Sequence, residues 1–123
     1  MKLRVALVLT ALVLSLALSV AAADISGKWT ASFETQIGTQ NYTYTFKVDG
    51  EKLTGTAKSA NGESALRDGS VKGTDVKFIE DLDFQGTPIV ITYTGKIDGD
   101  VIHFTRQVAD FATETLDAKR AKD

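Results

Sequence analysis

The chain has 123 residues, with 14 basic and 16 acidic side chains, one histidine and no cysteine. A net charge of −2 makes polyanions poor partners, so nucleic acid is excluded as an expected ligand. No disulfide or lipid-modified cysteine is available. With a single histidine, zinc or haem ligation of the usual kinds is disfavoured, so no metal or other cofactor is expected.

The chain opens with Lys2 and Arg4, then an apolar run, VALVLTALVLSLALSV, then three alanines ending at Ala23. This pattern reads as a secretory signal peptide over 1–23, leaving 24–123 as one domain. A membrane anchor is the alternative, but the run is short for a spanning helix and ends in a cleavage-type site. The expectation is a secreted or periplasmic protein with no stable membrane insertion once the leader is cut. Removing Lys2 and Arg4 makes the remainder more acidic still.

Beyond the leader the sequence is rich in Thr, Val, Ile, Phe and Tyr, and glycine punctuates it. Alternation and turn signals predict eight strands, over 28–36, 41–48, 52–58, 63–72, 75–84, 88–96, 100–107 and 113–120. The first places Trp29, Ala31 and Phe33 on one face. The second aligns Tyr42, Tyr44, Phe46 and Val48. The fourth carries a bulge signal at Asp68-Gly69. Turns such as VDGE, ANGE, VKGTD and IDGD put a polar residue before glycine, which accepts the positive φ of a tight hairpin. Short turns make consecutive strands neighbours. Open edges invite aggregation, and closing the sheet removes them. The expected fold is therefore all-β, an eight-stranded antiparallel up-and-down meander barrel. A sandwich would need longer crossing connections.

Two stretches carry a resemblance. GKW at 27–29 and LTGTA at 53–57 resemble the first and third strands of the avidin and streptavidin family, over about 26–73. Lipocalins and fatty-acid-binding proteins also begin with a Gly-x-Trp strand. The resemblance implies a calycin-type barrel with Trp29 at its floor and a cavity within. It does not carry the biotin site: Trp29 is the only tryptophan, and Ala57 stands where that family has a tyrosine, although Ser59 matches a nearby serine.

Period-two geometry sends most aromatic and aliphatic residues inward, and two charges with them, Glu80 and Arg106. A buried charge is costly unless paired. One reading is a structural ion pair, or a charge at the rim. The other is a polar anchor in an apolar cavity, with Tyr42, Tyr44 and Tyr93 adding hydroxyls. These five residues are the candidate ligand-binding set. His103 shares the outward face with Val101 and Thr105. The carboxylates of EDLD, 80–83, read as a solvated acidic face rather than a calcium loop.

Three functions follow. The first is a binding barrel for a small, partly apolar ligand. The second is a non-enzymatic module that meets a protein or glycan through its threonine-rich outer face. The third is an enzyme using Glu80 as acid or base and Arg106 to hold an anionic substrate. That outer face is only lightly apolar, so a monomer is expected.

Overall fold

The computed structural model describes residues 23–122. The leader reading falls on 1–23, and all of it except Ala23 lies outside the described residues. Eight strands follow in order: β1 Gly27–Thr35, β2 Gly38–Asp49, β3 Lys52–Ser59, β4 Gly62–Lys72, β5 Asp75–Phe84, β6 Thr87–Asp98, β7 Val101–Val108 and β8 Ala112–Arg120. Each pairs antiparallel with the next, and β8 returns to β1, closing the barrel. The meander predicted from the turns is the observed topology.

Alternation decides what is inside. Trp29, Ala31 and Phe33 on β1, Tyr42, Tyr44 and Phe46 on β2, and Ile102, Phe104 and Arg106 on β7 are all buried. The residues between them are exposed or half-buried. Strand β4 breaks the period. Leu66 and Val71 both face inward although an odd number of positions separates them. The register slips by one residue against both neighbours here, and Asp68 takes φ 54°. This is the bulge signalled by Asp68-Gly69, and the extra residue turns Val71 back into the core.

The middle of the barrel is filled. Phe78 stacks on Tyr93 at 4.4 Å between centroids, and Phe104 meets Phe78 edge-on at 5.6 Å. Gly95 lies beneath the Phe104 ring, where a Cβ would come within 2.5 Å of it. A glycine in mid-strand weakens the strand, but here it makes room for the ring.

One end is plugged. Trp29 is fully buried and donates its indole N–H to the Ile25 carbonyl at 2.9 Å. The Arg120 guanidinium covers the same ring at 4.5 Å. Trp29 is thus a floor residue, as the Gly-x-Trp resemblance implies. Ile25 precedes the first strand, so no periodicity marked it as core.

The two ends differ in their turns. At the plugged end, 49–52, 72–75 and 98–101 are crowded with Asp, Glu and Lys. At the other end, turns 35–38, 59–62, 84–87 and 108–112 hold a single charge, Asp110, and carry Ile37 and Phe111 exposed.

Candidate functional site

The site lies between the aromatic core and the uncharged end. Glu80 on β5 and Arg106 on β7 point inward from strands separated by β6. Tyr93 on β6 bridges them: its hydroxyl receives Arg106 Nε–H at 2.9 Å and donates to Glu80 Oε1 at 2.9 Å. From across the barrel, Tyr42 on β2 repeats the arrangement. It receives Arg106 Nη2–H at 2.9 Å and donates to Glu80 Oε2 at 2.9 Å. Tyr44 meets the Tyr93 hydroxyl at 2.9 Å.

Counting protons fixes the directions. A tyrosine hydroxyl donates one hydrogen and accepts through two lone pairs. The Tyr93 proton goes to Glu80, so Tyr44 must be the donor to Tyr93. The scheme closes with Glu80 ionised, each of its oxygens accepting one O–H. No buried side-chain nitrogen or oxygen among the described residues lacks a partner. The closest direct approach of the charges, Arg106 Nη2 to Glu80 Oε1, is 3.8 Å. The two charges attract directly across this gap, and the Tyr42 and Tyr93 hydroxyls bridge them as well.

Arg106 has a second acid. Its Nη1 donates to Glu114 Oε1 at 2.6 Å, and Glu114 stands directly opposite it on β8. The sequence reading did not single out Glu114, although it lies in phase with inward-facing Leu116 and Ala118. A carboxylate near a strand end reads as solvated, and only the cross-strand partner Arg106 draws it in. The guanidinium also lies 5.2 Å from the Phe33 and Tyr42 ring centroids, which adds cation–π attraction.

Burial shapes the titration of these groups. It pushes Glu80 above the usual carboxylate range, while the Arg106 charge and the two tyrosine hydroxyls pull it back only in part. It raises Tyr42 to about 12, with Glu80 adding to the rise, and it raises Tyr44 and Tyr93 further. The three tyrosines are therefore neutral hydrogen-bonding groups at neutral pH.

Above this network is a cavity of about 280 Å³ open to the uncharged end. Its floor is Tyr42, Arg106 and Glu114, and its walls include Leu82, Phe84, Ile89, Ile91 and Val108, with Ile37 and Phe111 at the rim. All five predicted site residues are brought into one network. Of these, Tyr42 and Arg106 line the cavity, while Glu80, Tyr44 and Tyr93 lie beneath and hold them.

His103 is outward, with Asp117 at 2.7 Å from Nδ1 and Asp98 at 3.6 Å from Nε2. The hydrogen bond to Asp117 raises its pKa. In the EDLD stretch, Asp81 accepts both arms of Arg67, at 2.5 and 3.0 Å. Neither group touches the cavity. Comparison with protein-family profiles, with curated proteins and with solved structures finds no match.

Proposed function

We infer that the protein is a binding barrel, and that its ligand is a small amphipathic molecule entering through the uncharged end. The observation that carries this reading is the pairing of an apolar-walled cavity with a preorganised polar floor. Ligand sites combine apolar walls with a few fixed polar groups in this way. The apolar part of the ligand lies against Leu82, Phe84, Ile89 and Val108. Its head group meets the remaining N–H donors of Arg106 and the outer oxygen of Glu114. A cavity of about 280 Å³ suits a small ligand, since pockets for drug-sized molecules start at about 300 Å³. The leader sequence supports action outside the cytoplasm, in a secreted or periplasmic setting.

The test is calorimetric titration with octanol, octylamine and octanoate, on the wild type and on Ile89→Trp, which fills the cavity. Binding of at least one amphiphile to the wild type, lost in the variant, supports the reading. Binding of none of them, or equal binding by Ile89→Trp, contradicts it. An acid–base role for Glu80 has less support, because both its oxygens are occupied and it does not line the cavity.

A further inference from the structure

The floor of the end cavity is not balanced in charge. Of the residues that line the cavity, Arg106 is the one base and Glu114 the one acid. Beneath them lies Glu80, with its nearer oxygen 3.8 Å from Arg106 Nη2. The hydrogen-bond scheme closes with Glu80 ionised, so one guanidinium faces two carboxylates and a surplus negative charge is left. The two charges at the surface of the floor are not equally open. The Glu114 side chain is 11% exposed and that of Arg106 5%. Glu114 stands two residues after Ala112, where β8 begins. At roughly 3.4 Å per residue, this puts it about 7 Å inside the opening.

Unused hydrogen-bonding capacity shows what the floor offers a head group. Arg106 keeps two N–H groups, one on each terminal nitrogen, after its bonds to Tyr93, Tyr42 and Glu114. Glu114 accepts through Oε1, and among the described residues its Oε2 accepts nothing. Tyr42 donates to Glu80 and receives from Arg106, so it keeps one lone pair. A carboxylate head only accepts, so it must use the two Arg106 N–H groups. The one on Nη1 shares its nitrogen with the bond to Glu114. An anion there would lie beside that carboxylate, and like charges so close repel. An ammonium head only donates. It can take Glu114 Oε2 and the Tyr42 lone pair, and its charge cancels the surplus.

The surroundings of the mouth carry the same sign. The four turns there hold Asp110 alone. Apart from the floor, strand residues within two positions of those turns add Glu34, Glu63 and Asp83 against one base, Lys58. Lys58 stands opposite Glu63 in the β3–β4 ladder. An opening of one sign draws in ligands of the other. We propose that the end cavity selects a cation: its ligand is a primary ammonium on a short apolar chain, with the head on Glu114 and the chain against Leu82, Ile89 and Val108. The inference rests on the binding reading above and adds the charge of the head group, which that reading leaves open. The same floor disfavours a carboxylate head.

The test uses octylamine, octanol and octanoate, which share a chain and differ in head charge, in calorimetry at pH 7 on the wild type and on Glu114→Gln. Octylamine keeps its proton there, as a lysine side chain does. The wild type should bind octylamine about tenfold or more tighter than octanol, the margin of a charge-assisted hydrogen bond, and octanoate more weakly than octanol. Glu114→Gln keeps the shape and a hydrogen-bonding side chain but removes the surplus charge. It should lower the ratio of octylamine to octanol affinity by about tenfold. Octanol or octanoate binding the wild type as tightly as octylamine would overturn the inference and leave the binding reading standing. Binding of none of the three would overturn both. The wild-type ranking decides even if the substitution unfolds the barrel. An unchanged ratio in a folded Glu114→Gln would also overturn the inference, because it would place the ammonium away from Glu114.

Discussion

Arg106 is the residue on which the interior depends. It meets two carboxylates, Glu80 and Glu114, and two tyrosine hydroxyls at the floor of the end cavity, with its own side chain 5% exposed. Removing one partner of a buried charge cluster leaves the others uncompensated. Arg106→Met should cost about 3–5 kcal/mol in urea unfolding, and adding Glu80→Gln should recover part of that loss. Glu80 also has a signature in pH. Its folded pKa is raised, so the native state binds the proton more tightly than the unfolded chain does. Its contribution therefore becomes more favourable to folding as pH falls through the folded value toward 4.5. The stability of wild type relative to Glu80→Gln should shift in favour of wild type between pH 7 and pH 5, read from urea midpoints. His103 runs the same way, over its own pH range. Its pKa is raised by Asp117, so its contribution is present below the unfolded value and fades as pH rises through the folded one. An NMR titration should find His103 above 6.5, and Asp117→Asn should bring it down.

At the scale of strands, alternation made most of the fold legible before any coordinates. Trp29, Tyr44, Phe78 and Phe104 each fell in phase on their own strand, and the short Gly turns ordered the meander. Three features were harder to see. Past the bulge, β4 changes phase, so Leu66 and Val71 do not share one period. Ile25 plugs the floor from outside any strand. The closing contact of β1 with β8, paired at Trp29–Arg120 and Thr30–Lys119, joins the two ends of the barrel sequence, which no local pattern encodes. The special backbone positions make their own predictions. Gly95→Val would drive a branched side chain into the Phe104 ring and should cost about 1–3 kcal/mol by thermal or urea unfolding. Asp68 holds φ 54° in the bulge. Asp68→Gly should stay within about 1 kcal/mol of wild type, whereas Asp68→Val should lose about 1–2 kcal/mol in the same assay.

Across the whole molecule, the fold is polarised. One end is sealed by Trp29, Ile25 and Arg120 beneath charged turns. The other opens through turns that hold a single charge, Asp110, between Ile37 and Phe111, onto the floor of Tyr42, Arg106 and Glu114. The inward charges Glu80 and Arg106 were legible from period two alone. Their separation into a supporting acid and a cavity-facing base was not, because depth along the barrel depends on how the strands are staggered. Trp29 sits at the sealed end, so its fluorescence is a poor reporter of events at the open one. Methyl resonances are better placed. The most direct measurement is a methyl NMR titration with octylamine, octanol and octanoate. The account predicts saturable shifts at Leu82, Ile89, Ile91 and Val108, with Leu53, Val71 and Ile102 unmoved. Shifts centred on the sealed end or on the outward-facing Val90, or none with any of the three, would contradict it.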